Sequence, residues 1–284
     1  MEQTRERVLA ALWGEAPDPV VAGFTYLPPD VMGCSDADVS RGGAIRLARA
    51  AADAKLDFVF VRHGAFGSAK SASLLQELGI APVWAVDGVL WSTLHAVGLD
   101  QGLRATMLDP ESLEPLLDEA LATALESLKA ASAAGAVAVA VGEDLAGERG
   151  PLVAPDYVND AVMPRLARIA QEATALGMPA ILHADGDARV FVAPAARAGF
   201  QAIHASGGSA GFAGLAAAAR AAGLAAMGGI PTAALGGDLA TAVAAGTEAA
   251  TIAAGGGILV ADDGGVSSRE QYAGLVAAIV AARS

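Results

Sequence analysis

The residues with the strongest claim to chemistry are His183 and Asp185, which follow an apolar run and stand two positions apart. On an extended chain that spacing sends both side chains to one side, so an imidazole and a carboxylate could share a metal ion or a substrate proton. Two ligands are one fewer than the three protein ligands of a catalytic zinc. Asp262 and Asp263, at the end of the last apolar run, are the candidates for the third, and strand parity does not choose between them without a register. Asp144 ends a stretch of alternating Val and Ala. A carboxylate at the end of a buried strand has a raised pKa and suits general acid or base work; an ion pair with Arg149 or Arg62 is the structural alternative. Asp87 is a second charged candidate for catalysis, and His63 and His204 are candidates for proton transfer. Tyr26, Arg62, Glu143 and His204 stand at the ends of other apolar runs and are candidates for orienting a substrate. A single aspartate in such a place is also a good helix cap, so the weight lies on the set and on the histidines. Cys34 has no histidine pattern near it, which argues against a nucleophilic cysteine.

Groups so far apart in the chain need a scaffold that gathers strand ends. After residue 15, short apolar runs alternate with Ala-rich helical stretches. Strands are predicted at 19–25, 57–62, 81–86, 136–142, 180–183, 201–205, 224–227 and 257–261. Helices are predicted at 41–54, 68–78, 110–134, 157–176, 193–198, 212–222, 237–245 and 267–282. Strands apolar on both faces imply a parallel sheet covered by helices. Eight strand–helix units in this length fit a (β/α)8 TIM barrel of a single domain, 1–284, preceded by an amphipathic helix at 2–13. An open doubly wound sheet is the rival. In a barrel the chemistry lies at the C-terminal ends of the strands, where the residues above collect. Glycine clusters at 207–211, 228–229 and 255–257 match neither a Walker sequence nor a GxGxxG after the first strand, and read as close backbone packing.

Composition excludes several classes. Of 284 residues 54% are hydrophobic and 17% charged, enough for a large core and too apolar for intrinsic disorder. No uninterrupted bulky apolar run reaches the roughly 20 residues of a transmembrane helix. The net charge of −13 opposes binding of nucleic acid or acidic membranes. The opening MEQTRER carries both signs and reads as neither signal nor transit peptide. One cysteine permits no internal disulfide and no cysteine metal cluster. The expectation is a soluble cytoplasmic protein acting on a small molecule.

Several segments resemble the uroporphyrinogen decarboxylase superfamily, which includes methyltransferases acting on corrinoid and thiol methyl carriers. They are 4–18 (TRERVLAALWGEAPD), 143–146 (EDLA), 151–164 leading into Pro-Arg-Leu, 228–230 (GGI) and 256–259 (GGIL). The most specific is 177–187, GMPAILHADGD, similar to the family's fifth-strand His-x-Cys-Gly or His-x-Asp-Gly. The resemblance spans nearly the whole chain and implies a (β/α)8 barrel with its site at the C-terminal mouth. It implies a zinc-type site in which His183 matches the family histidine, Asp185 takes the first cysteine position and the distant cysteine falls near Asp262-Asp263, with Asp263 taken as the third ligand. Carboxylates in place of thiolates make the set harder, able to hold Zn²⁺ and more open to Mn²⁺ or Fe²⁺. The family's porphyrinogen decarboxylases carry an Arg-rich N-terminal stretch that grips a polycarboxylate. The corresponding 23–33, GFTYLPPDVMG, contains no arginine, which argues against that substrate. The implied function is metal-assisted methyl transfer on a small molecule, with a corrinoid as methyl carrier and a homodimer or a corrinoid protein as partner. A metal-free decarboxylase or lyase, with Asp144 or Asp87 as charge partner, is the second reading. A non-catalytic binder of a corrinoid or tetrapyrrole is the third.

Overall fold

A strand that is apolar on both faces needs neighbours on both edges and a covering layer on each side. The computed structural model, which describes residues 2–25, 51–52, 54–62 and 68–284, shows how the chain meets that need. The strands β1 (Gly23–Phe24), β2 (Phe58–Arg62), β3 (Ala81–Asp87), β4 (Ala138–Gly142), β5 (Ala180–His183), β6 (Ala202–His204), β7 (Ala225–Ile230) and β8 (Ile258–Asp262) form one parallel 8-stranded sheet in chain order. A bridge from Ala22 to Val260, with the Val260 N–H donating to the Val21 carbonyl at 2.9 Å, brings β1 against β8. The sheet is thus a nearly closed TIM barrel. Its longer described helices are α1 (Glu2–Leu12), α2 (Ser68–Glu77), α3 (Val89–Val97), α4 (Leu99–Leu108), α5 (Glu114–Ala133), α6 (Met163–Ala175), α7 (Arg189–Ala198), α8 (Gly211–Ala221), α9 (Leu239–Ala253) and α10 (Arg269–Ala282).

Alternation along each strand divides the core in two. Val83, Ala138, Ala140, Ile181 and Met227 fill the lumen, and Val8, Ala11 and Leu12 of α1 join them beneath the strand starts. Val59, Trp84, Val139, Val141 and Leu182 belong to the outer core shared with the helices. From Ala138 to Val141 the run is therefore a sorted pattern, with alanines inward where the strands converge and valines outward. Beneath the barrel, buried Asp57 accepts from the Ala22 N–H at 3.0 Å and pairs with Arg7 at 3.6 Å and Arg283 at 3.2 Å, tying both chain ends to β2.

The predicted strands all occur, with shifted ends; 19–25 shortens to β1 and its Ala22 bridge. The helix predicted at 41–54 falls mostly outside the described residues. Helices α3 and α4 have no predicted counterpart, because Gly98 and Gly102 interrupt the periodicity. Gly98, at φ 91, is the hinge between the two helices. The helix at 237–245 runs on as α9 past Gly246, where a side chain would strike the Ala278 carbonyl of α10. The two helices pack closely enough there to offset glycine's poor helix propensity. Among the described residues, no helix is long and apolar enough to cross a membrane.

Candidate metal centre at the mouth of the barrel

The parity that turns Ala138 and Ala140 inward on β4 continues through Gly142 to Asp144. On β5 it runs from Ile181 to His183 and Asp185, and on β6 from Ala202 to His204. His183 and His204 are register partners on adjacent strands, so their side chains leave the sheet on the same side. Their rings stack with centroids 4.7 Å apart, and the two Nδ1 atoms are separated by 2.6 Å. His204 Nε2 lies 2.8 Å from the backbone carbonyl of Asp262, and its ring meets Phe60 edge-on at 6.1 Å. Burial lowers the pKa of His183 to about 4. Burial, and then its neighbour His183, lower that of His204 to about 4 as well. Both rings are neutral at pH 7.

On the open side of this pair, His183 Nε2 lies 3.9 Å from Asp144 Oδ1 and 3.9 Å from Asp185 Oδ1. One donor atom from each of the three residues falls within 4.8 Å of the others. Asp144 Oδ1 is buried without a hydrogen-bond partner. Burial raises the Asp144 carboxyl above the usual carboxylate range, against the pull of the Asp185 N–H and of His95, and nearby Asp87 adds to the rise. Asp185 is raised by burial and then by Asp144. A neutral imidazole, an orphaned carboxylate oxygen and a second carboxylate at one point make a donor set for a borderline divalent cation. A positive ion would offset both the desolvation of the two carboxylates and their mutual repulsion. The residues fit a metal.

The loop carrying Asp185 is braced from outside. A hairpin, Ala146–Gly147 against Gly150–Pro151, follows β4, and its Gly147 carbonyl accepts from the Asp187 N–H at 2.9 Å. Gly186, at φ 67, presses on Gly147 so closely that a Cβ would overlap its backbone. The centre faces a cavity of about 310 Å³, lined by Phe60, Val86 and Trp91 together with Asp87, Asp144 and Asp185.

The structure brings together four of the expected residues, His183, Asp185, Asp144 and His204, and lines the same cavity with Asp87. Three expectations need correction. Asp263 is not a member of the cluster: its Oδ1 accepts from the N–H and hydroxyl of Thr232, at 2.8 and 2.7 Å. Asp144, expected as an acid or base, is the third residue of the cluster. Glu143 is not on the cavity. Wholly buried, it accepts from the N–H groups of Leu90 at 3.1 Å and Trp91 at 2.6 Å, and so caps α3. Burial pushes its pKa up to about 8 against the pull of those donors. His204 is also fully buried and backs His183 rather than facing a substrate.

Asp262 is equally enclosed; its carboxylate is spent on Thr25 and Gly265. Tyr26 and His63 lie outside the described residues, as does the side chain of Arg62. Trp91 and His95 went unnoticed in the sequence. They are one helical turn apart on α3, with ring centroids at 4.4 Å, and Trp91 lines the cavity. Recognising α3 as a helix would have paired them.

A family model described as Uroporphyrinogen decarboxylase (URO-D) matches residues 92–258, a stretch that includes the cluster and His204. No curated protein sequence matches the chain. Among solved structures, a methyltransferase from Methanosarcina mazei superposes with a TM-score of 0.74 at 17% identity, covering 99% of this chain and 98% of that one. A deoxyribose phosphate aldolase from Aeropyrum pernix gives a TM-score of 0.49 at 16% identity, covering 98% and 96%.

Proposed function

Since the chain belongs to the uroporphyrinogen decarboxylase family, we propose that it is a metal-assisted enzyme transferring a methyl group to or from a small organic molecule. One observation carries the reading: Asp144, His183 and Asp185 converge on one point at the edge of the cavity, with a buried Asp144 oxygen left unpaired. These three residues would hold the cation. Bound there, a divalent ion supplies Lewis acidity that lowers the pKa of a substrate thiol or hydroxyl. Phe60, Val86 and Trp91 give the cavity part of its apolar lining, which strengthens electrostatic interactions beside it. Asp87 lines the same cavity; it takes the proton of the acceptor's thiol or hydroxyl as that group attacks the methyl carbon, while the methyl–carrier bond breaks and leaves its electron pair on the carrier. The harder donor set accepts Mn²⁺ or Fe²⁺ alongside Zn²⁺. The cavity is sized for a small molecule, so a corrinoid carrier would be presented at the mouth by a partner protein.

Metal analysis of the purified protein tests this, with close to one equivalent expected in the wild type and its loss in His183→Ala. Metal content near zero in both overturns it. A metal-free lyase is the second reading, favoured by the raised Asp144 carboxyl in a cavity that Phe60, Val86 and Trp91 also line. It requires activity that survives chelation and disappears in Asp144→Asn.

A further inference from the structure

We propose that His204 is a positioning residue that sets the tautomer of His183, leaving Nε2 of His183 bare and aimed at Asp144 and Asp185. The argument runs through three hydrogen-bonding groups in order. A backbone carbonyl only accepts, so His204 Nε2, 2.8 Å from the Asp262 oxygen, carries the proton. A neutral imidazole has a single N–H, which leaves His204 Nδ1 as an acceptor. His183 Nδ1, at 2.6 Å, must then be the donor. Its own single proton is used there, and Nε2 presents a lone pair to the two carboxylates at 3.9 Å. The reverse direction would need His204 to carry protons on both nitrogens. Full burial against Phe60 and the outer end of β8, with no carboxylate oxygen among the described residues hydrogen-bonded to the ring, disfavours that cation.

The consequence reaches further than one side chain. The tautomer of His183 is set by a backbone oxygen on β8, two strands beyond β6 in the sheet order. The carboxylate of that same Asp262 is fastened to Thr25, where β8 meets β1. Barrel closure and the state of the metal-facing nitrogen therefore share one residue. An outer partner that orients a ligating histidine typically changes metal affinity by about 10–100-fold.

The claim about metal affinity rests on the cation site proposed above, whereas the claim about the tautomer does not. The test uses metal-free protein labelled with ¹⁵N-histidine, whose 4 histidines make long-range ¹H–¹⁵N spectra tractable. His183 is expected as the Nδ1–H form and His204 as the Nε2–H form. His204→Phe keeps the ring packing and removes the acceptor. It should let His183 populate Nε2–H and weaken Zn²⁺ binding, measured against a competing chelator, by at least about tenfold. His204→Asn places an amide oxygen near the former Nδ1 and should retain the Nδ1–H form and most of the affinity. A wild-type His183 protonated on Nε2 overturns the proposal, even if the variants do not fold. So does an unchanged His183 tautomer in His204→Phe. Wild-type protein with the expected tautomers but no Zn²⁺ binding would overturn the metal reading and leave the tautomer assignment standing.

Discussion

The Asp262 carboxylate joins the last strand to the first: its Oδ1 accepts from the Thr25 N–H at 3.0 Å, and its Oδ2 accepts the Thr25 hydroxyl. The Gly265 N–H donates to Oδ2 as well, at 2.6 Å. Burial raises the Asp262 pKa, yet the donors aimed at it satisfy both oxygens. Asp262→Ala strands those donors in the interior, at a cost of about 3 kcal/mol or more. Thermal melting should show a fall of roughly 5–10 °C. A variant melting with the wild type would mean that the barrel closes without this contact.

The choice between Asp144 and Asp263 gives a second test. Asp144→Ala should weaken Zn²⁺ binding by at least the roughly 10–100-fold seen for outer-shell partners. Asp263→Ala should bind as the wild type does, because its carboxylate is engaged with Thr232. Chelator competition on both variants decides the matter; the opposite ranking would restore Asp263 to the site.

These two aspartates also show what the sequence could and could not tell. Parity from Ala140 reaches Asp144, and parity from Ile181 reaches His183 and Asp185, so those positions are readable once the strands are placed. The same counting from Leu259 and Ala261 reaches Asp263, but β8 ends at Asp262 and the next carboxylate is taken up by Thr232. Parity holds only while the strand lasts. Glu143 misleads for a different reason: its helix, α3, was invisible behind two glycines, so the carboxylate that caps it looked free for substrate. The eight strands were legible because apolar runs mark strands buried on both faces. The register pairing His183 with His204 was not, since it depends on which strands are neighbours and how they are staggered.

Gly186 offers a test of the brace on the His-x-Asp loop. Alanine at φ 67 costs about 1–2 kcal/mol in backbone strain. Its Cβ would also overlap the Gly147 backbone, forcing the loop away from the hairpin. Gly186→Ala should therefore melt lower and bind Zn²⁺ more weakly, because Asp185 moves with the loop. Wild-type values for both would show that the hairpin does not hold the loop in place.

Asp57 decides between two opposing effects beneath the barrel. Burial raises its pKa, while the Ala22 N–H, Arg283 and Arg7 pull it down; burial is the larger. A carboxyl raised above its unfolded value of 3.8 contributes stability that is complete below that value and lost as pH rises through the folded pKa. The stability of the wild type relative to Asp57→Asn should therefore fall as pH increases from the unfolded value upward. For one proton the slope is at most about 1.4 kcal/mol per pH unit. Denaturant melts of both proteins across the acidic range measure it. A difference that grows with pH instead would mean that Arg7 and Arg283 outweigh the cost of burying the charge.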